Sequence, residues 1–256
     1  MKLITYNILD GGGERLSLIA QVINDESPDI VVINEANGFD LNDNERLVSL
    51  GDLIAMPHYH LAPSGQRDYH VAIYSKLPLL SIEEIHPLVR AGIRVVVSTS
   101  IGQVAIVGTH LSPYSEVDRL PEIELILSSL AGYNNRIILG DLNSLAETDH
   151  YQEDSLVSSF NDTQMSKFTD GEMPLYKVTD IIEQNGYVDS GLLKNSETIN
   201  TVPTNSNEDN SHSELRLDYV FISENMSNRV ISYEVVKNSQ TEQASDHYPV
   251  VVELGI

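Results

Sequence analysis

The sequence predicts an α/β fold, and three features carry that expectation. Short apolar runs rich in Val, Ile and Tyr recur along the chain, as buried strands do. Between several of them lie stretches whose apolar residues repeat at helical spacing. The first of these units reads strand, helix, strand, the order of a right-handed crossover. The chain has 256 residues, enough to bury a sizeable core, and shows neither an internal repeat nor a dividing linker. One domain over residues 1–256 is expected.

Residues 2–9 are rich in β-formers and end at Asp10 and three glycines, Gly11, Gly12 and Gly13. Leu16, Ile19, Ala20 and Ile23 then mark a helix that Ser27-Pro28 stops. The run 29–33 is almost wholly apolar, as a strand covered on both faces should be, and it delivers Asn34-Glu35 at its end. Residues 36–70 are polar and irregular, with a short helix around 43–50, and 70–75 is the next strand. Residues 94–99 and 103–108 form a hairpin turning near Ile101-Gly102, and the second of these strands runs out through Thr109-His110-Leu111-Ser112-Pro113. From Glu116 to Leu130 the spacing predicts an amphipathic helix with Val117, Leu120, Ile123, Leu127 and Leu130 buried and Arg119 off that stripe. The strand Ile137-Ile138-Leu139 follows, with Gly140 read as its turn and Asp141 and Asn143 emerging two residues apart around Leu142. Residues 144–214 are mostly irregular, with a helix at 176–185 and a polar surface loop at 204–213. Strands are expected at 216–222, 230–236 and 250–254, the last preceded by Ser245-Asp246-His247.

Composition excludes some chemistry. There is no cysteine, hence no disulfide, thiolate metal site or cysteine nucleophile. No apolar run reaches the length of a membrane span, and the N-terminus enters a strand-like run at once, so a cytoplasmic protein is expected. Fifteen Lys and Arg stand against 38 Asp and Glu, a formal net charge of −23. A protein that grips long nucleic acid usually presents a basic face, and this balance weighs against tight duplex binding.

Asn7, Glu35, His110, Asp141, Asn143 and Asp246-His247 all stand at the ends of apolar runs. Gathered on one sheet edge, they make a cluster of carboxylates, amides and imidazoles without lysine. Crowded carboxylates repel one another unless a cation neutralises them. Oxygen ligands of this kind, supplemented by water, suit Mg²⁺ or Mn²⁺ better than Zn²⁺. An ion held by Glu35 and Asp246 would polarise a phosphoryl oxygen or stabilise a leaving alkoxide. Asp141 is suited to orient or deprotonate the attacking water, and Asn143 to hold that water or a phosphate oxygen. His247 is suited to stabilise developing charge or protonate the leaving group, with Asp218 as the carboxylate that fixes its tautomer.

Taken in order, Thr5-Tyr6-Asn7, Asn34-Glu35, Gly108-Thr109-His110-Leu111, Gly140-Asp141-Leu142-Asn143, Arg216-Leu217-Asp218-Tyr219 and Ser245-Asp246-His247-Tyr248-Pro249 resemble the endonuclease/exonuclease/phosphatase superfamily. The motifs span nearly the whole chain. The resemblance implies a four-layer α/β sandwich, two mixed β-sheets face to face with helices on the outer faces, and Mg²⁺-dependent phosphoester hydrolysis. It implies Glu35 and Asp246 as metal ligands with Asn7 nearby, Asp141 and Asn143 on the nucleophilic water, and His247 as the catalytic imidazole with Asp218 as partner. His110 looks like the second active-site histidine of the pancreatic-type deoxyribonucleases. The chain departs from the abasic endonucleases of this superfamily. Asn34 replaces the usual Gln, no Lys follows Glu35, Leu9 stands where a second acidic residue is usual, and there is no Trp.

Blander readings apply elsewhere. His58, His60, His70, His86, His150 and His212 are expected in loops or turns as solvated or structural residues. Arg94 and Arg119 are candidates for phosphate contact, against a strand-edge cation and a surface salt-bridge partner, respectively. Gly11–Gly13 lack the spacing of a dinucleotide loop and are expected to let backbone approach the metal site. The expectation is therefore a Mg²⁺- or Mn²⁺-dependent phosphodiesterase acting on nucleic acid, with DNA as the candidate polymer. The alternatives are a hydrolase of a small soluble or lipid-head-group phosphoester, and an inactive binding module of the same fold.

Overall fold

A computed structural model describes residues 1–66, 68–195, 197–205 and 213–256. Two six-stranded mixed sheets pack face to face, with helices against their outer faces. In the first sheet the order is β11 (Val230–Val235), β12 (Val250–Leu254), β1 (Lys2–Asn7), β2 (Ile30–Asn34), β4 (Val71–Ser75), β3 (His58–Ala62). In the second it is β5 (Ser81–Glu84), β6 (Ala91–Thr99), β7 (Gly102–His110), β8 (Asn135–Asp141), β10 (Asp218–Ser223), β9 (Tyr187–Asp189). Strands β1 and β2 run parallel, as do β7 and β8. Strand β12 is antiparallel to β1, and β10 and β6 are antiparallel to β8 and β7. The C-terminal ends of β1, β2, β7 and β8 therefore share an edge with the N-terminal ends of β6, β10 and β12.

The near-continuous apolar runs are explained by burial on both sides. Ile30 and Val32 of β2 face the core between the sheets, with Val95, Ile106 and Leu139. Val31 and Ile33 face α1 (Leu16–Glu26) and α2 (Glu45–Leu53), which supply Ile19, Ile23, Leu47 and Leu50. On the second sheet, Val107 and Ile138 pack under Ile123 and Ile126 of α3 (Glu116–Ser129) and Ile182 of α6 (Lys177–Gln184).

Several local expectations are corrected. Gly140 lies inside β8, not in a turn after it, with φ +149°. A Cβ there would sit 1.8 Å from the Thr109 carbonyl oxygen, so glycine is required by the close approach of β7. The buried face of α3 is rotated from the expected stripe: Val117 is 76% exposed, while Glu116, Arg119 and Glu122 are buried with Ile123 and Ile126. Residues 153–168 hold two short helices that lacked a clear apolar period, α4 (Glu153–Ser159) and α5 (Asp162–Phe168). A capping box starts α5: the Gln164 N–H donates to Asn161 Oδ1, and the Asn161 N–H donates to Gln164 Oε1. His58 and His60 lie in β3 rather than in loops, whereas His70 sits in the loop just before β4, buried against Asp40 as a structural residue. Residues 206–212 of the expected surface loop, including His212, lie outside the described residues. Among the described residues no helix is long and apolar enough to cross a membrane.

The two sheets are tied at the shared edge by Asn34, which is fully buried. Its Nδ2 donates to the Thr109 carbonyl at 2.8 Å, and its Oδ1 accepts from the Asp141 N–H at 3.2 Å and from Thr5 Oγ1 at 3.3 Å. Close packing there leaves no room for added volume. Gly140→Ala is expected to cost about 2–4 kcal/mol through backbone strain and overpacking. Urea unfolding should show a lower midpoint with an unchanged slope.

Candidate active site

The sequence candidates arrive at one edge from both sheets. Asn7 ends β1, Glu35 follows β2, His110 ends β7, Asp141 ends β8, Asp218 opens β10, and Asp246-His247 precede β12. Asp141 is the meeting point. Its Oδ2 accepts from Asn7 Nδ2 at 3.1 Å and lies 3.4 Å from His110 Nε2 and 3.9 Å from His247 Nε2. Its Oδ1 accepts from the Asn143 N–H at 2.9 Å. Burial pushes the Asp141 carboxyl up, but His110, His247, Lys167 and the Asn143 N–H together hold it below the usual carboxylate range.

Asn143 takes a left-handed backbone (φ +49°), so the strand alternation does not continue past Asp141. Its amide is nevertheless oriented: Nδ2 donates to the Leu111 carbonyl at 2.9 Å, and Oδ1 accepts from Lys167 Nζ at 2.5 Å. Leu142 is fully buried, as expected. His247 Nδ1 is 2.7 Å from Asp218 Oδ2, the predicted pairing. Burial alone would lower the His247 pKa, but Asp218, Asp246 and Asp141 raise it to about 10, so the ring is an imidazolium at neutral pH. Its charge suits it to stabilising anionic oxygen more than to accepting a proton. Asp218 is itself held: its N–H and that of Leu217 donate to Thr201 Oγ1. Beneath it the buried Arg216 pairs with Asp149 and Asp189 at 2.7 and 2.6 Å.

Across the edge, Glu35 accepts from the Asp10 N–H at 3.0 Å and from Asn7 Nδ2 at 3.4 Å. Gly11 gives its N–H to the Glu35 carbonyl and packs so tightly on Asn37 that a Cβ would sit 2.2 Å from that carbonyl oxygen. The glycines thus let backbone approach Glu35. Burial raises the Glu35 pKa, and the charges of Asp246 and Asp141 raise it further. A buried carboxyl whose ionisation is opposed by burial and by a neighbouring carboxylate fits a divalent cation, which removes that conflict. The residues therefore suit such an ion at Glu35 and Asp246 with Asn7 adjacent. The buried Asp141, Asp218 and His247 also bring ligand atoms within 4.8 Å of one another, although there the imidazole is committed to Asp218.

Two of the sequence candidates fall outside this edge. Arg94 points to the helix-covered face of β6, since strand alternation sends Ile93 and Val95 into the core between the sheets. It donates to the Ser129 carbonyl and pairs with Glu83 at 2.5 Å. Arg119 is not on the surface: it is 1% exposed and donates to the carbonyls of Ser112 and Lys167. Neither guanidinium is available to a phosphate at the shared edge.

Two cations that the sequence reading passed over do belong here. Arg90, immediately before β6, is buried, stacks 3.3 Å from the Tyr69 ring centroid, and lowers the His110 pKa by its charge. Lys167, at the end of α5, bonds Asn143; burial lowers its pKa to about 8 against the pull of Asp141. Arg90 was hidden because it precedes its strand without a motif, and Lys167 because α5 has little apolar period.

This fold and this site define a class of phosphoester hydrolases built on the deoxyribonuclease I-like α/β sandwich. The chain belongs to the endonuclease/exonuclease/phosphatase family, whose sequence profile matches residues 4–247. That family is generally dependent on a divalent metal. Solved structures similar to it include an AP endonuclease from Archaeoglobus fulgidus, with TM-score 0.74 and 18% identity over 100% of both chains. A 3'-5' exonuclease (NExo) from Neisseria meningitidis gives TM-score 0.74 and 20% identity, again over 100% of both chains. A family protein from Leptotrichia buccalis C-1013-b gives 0.71 and 17% with the same coverage. No curated protein sequence matches the chain.

His110 provides a test of this electrostatic arrangement. Burial lowers its pKa from 6.5 to about 4. As pH falls through 6.5 the unfolded chain takes up the proton first, so stability declines from there and levels off below about 4. The loss amounts to roughly 3 kcal/mol if the whole shift is realised. In EDTA, a His110→Asn variant should show a visibly flatter dependence of unfolding free energy on pH between 4 and 6.5.

Proposed function

We propose that the chain is a single catalytic domain that hydrolyses phosphodiesters with a Mg²⁺ or Mn²⁺ ion, nucleic acid, and DNA in particular, being the working substrate. The observation that carries the reading is the convergence of Asn7, His110, Asn143 and His247 on the Asp141 carboxylate, beside Glu35 and Asp246. In this reading Glu35 and Asp246, with Asn7 adjacent, hold the ion, which when bound supplies Lewis-acid polarisation of a phosphoryl oxygen. Asp141, held ionised by its neighbours, takes a proton from a water that Asn143 orients. The water oxygen bonds to phosphorus, the P–O bond to the leaving group breaks with its electron pair, and the departing oxygen is protonated from solvent. The His247 imidazolium, fixed by Asp218, stabilises negative charge on the phosphoryl oxygens, and neutral His110 holds Asp141 in place.

Nucleic acid is favoured by the similar structures, which include an AP endonuclease, a 3'-5' exonuclease and a 3' phosphatase bound to a product DNA hairpin. A small soluble phosphoester is the second reading, favoured by one observation. The chain is strongly acidic, and Arg15, Arg46, Arg94, Arg119 and Arg216 are engaged by internal acceptors. Phosphates along a polymer would have few cations to meet.

Plasmid DNA, single-stranded DNA, RNA, a chromogenic diester and a chromogenic monoester should be assayed with Mg²⁺, with Mn²⁺ and with EDTA. DNA cleavage that EDTA abolishes and that Asp141→Asn lowers by about 10²–10⁴-fold, without loss of fold, is the expected outcome. Hydrolysis confined to the small esters, with a shallow salt dependence, selects the second reading. A folded protein that hydrolyses nothing and still binds Mg²⁺ would be a binding module.

A further inference from the structure

The face of α3 turned to the protein is polar in a way that packing alone does not explain. Glu122 accepts from the Val89 N–H at 2.6 Å and from the Ser112 N–H at 2.7 Å. Arg119 donates to the Ser112 carbonyl at 3.2 Å and to the Lys167 carbonyl at 2.7 Å. One helix turn therefore fixes three backbone segments: the one before Arg90, the one after His110, and the end of α5 that carries Lys167. All three face the site edge, and each brings a nitrogen-bearing side chain to it.

Lys167 is the unusual member. Its ammonium has three N–H donors, yet among the described residues its hydrogen-bond acceptor is a neutral amide oxygen, Asn143 Oδ1. A partly buried ammonium held by an amide rather than a carboxylate keeps both its charge and its remaining donors for another anion. Two neighbouring groups point the same way. His110 Nδ1 and Arg90 Nε are buried atoms without a hydrogen-bond partner among the described residues. Asn143, the lysine's acceptor, is the residue assigned to the attacking water, so the ammonium lies one hydrogen bond from the reacting centre. Lys167 stands at the end of α5 rather than on a strand, and its ammonium feels the carboxylates of Asp141 and Glu35 at the same edge.

We propose that Lys167 is a substrate-binding residue, donating to a non-bridging oxygen of the scissile phosphate, and that Arg119 and Glu122 of α3 are positioning residues for it. The inference rests on the phosphoester-hydrolase reading. Its plain structural rival is a lysine that caps the last turn of α5 and packs on the Phe168 ring, 4.9 Å away.

The deciding experiment compares the wild type with K167M, K167Q and K167R, by titration with inorganic phosphate in Mg²⁺ and by steady-state kinetics on the best substrate of the panel. Thermal melts identify any variant that has lost its fold, and K167Q stands in for K167M if methionine is not tolerated. The expected result is phosphate affinity weakened about 10- to 100-fold in K167M and K167Q, a matching rise in KM, and substantial recovery in K167R. Phosphate affinity in folded K167M or K167Q within about twofold of wild type would overturn the proposal, as would a wild type that binds no phosphate. Lysine-dependent phosphate binding in a protein that hydrolyses none of the panel would sustain the site and refute the hydrolase reading instead.

Discussion

The carboxylate of Asp141 is the constraint to which the rest of this molecule is fitted. An ionised group 2% exposed is tolerable only if it is fully hydrogen-bonded and opposed by positive charge. Its partners come from both sheets. Asn7 and His247 belong to the first, and His110 and the Asn143 backbone to the second, while Lys167, on a helix beyond it, acts through its charge. In the function proposed above, the same atoms that make the carboxylate bearable are those a phosphoryl group would meet. Asn34, which bridges Thr109 and the Asp141 N–H, keeps the sheets close enough for this set of contacts to exist.

Much of the architecture was legible because strand burial is two-sided. Runs such as 30–33 and 137–139 could only be strands covered above and below, and each ended in a polar residue that the sheets then gathered. The pairing of Asp218 with His247 followed from chemistry, since an imidazole beside a carboxylate-rich edge needs a partner for its other nitrogen. What stayed hidden was periodicity carried by polar residues. Helix α3 was read by its leucines, whereas its buried face is Glu116, Arg119 and Glu122, so Arg119 was placed off the buried stripe and offered to phosphate. Arg94 was misread for a related reason: the strand period, applied from Ile93 and Val95, would have sent it to the helix layer. Lys167 could not be found at all from pattern, because its role depends on the end of a seven-residue helix meeting the Asn143 side chain.

The disposition of charge separates two properties that composition merges. Net charge of −23 is a sum over the whole chain. Inside, cations are used as cross-braces: Arg216 between Asp149 and Asp189, Arg15 on the Leu9 carbonyl, Arg119 on two carbonyls. Guanidinium groups serve this purpose because several fixed donors reach several acceptors at once. An acidic surface and a site with local positive charge therefore coexist without contradiction. The long-range field would repel a polyanion, and the short-range contacts would hold one phosphate.

The sheet order has a consequence for how the molecule comes into being. Strand β12 lies between β1 and β11, pairing Val252 with Leu3 and with Tyr233, and it brings Asp246 and His247 to the edge. Until that strand docks, the first sheet is split, the Asp141 carboxylate lacks the His247 imidazolium, and the Glu35 side of the edge lacks Asp246. A chain still emerging from the ribosome would hold Asn7, Glu35, His110 and Asp141 while more than a hundred residues remained to be added, without Asp246 and His247 beside them. Joining strands so distant in sequence is also the slow kind of folding step. Reactivity in this architecture therefore appears last, after the core that carries it has closed.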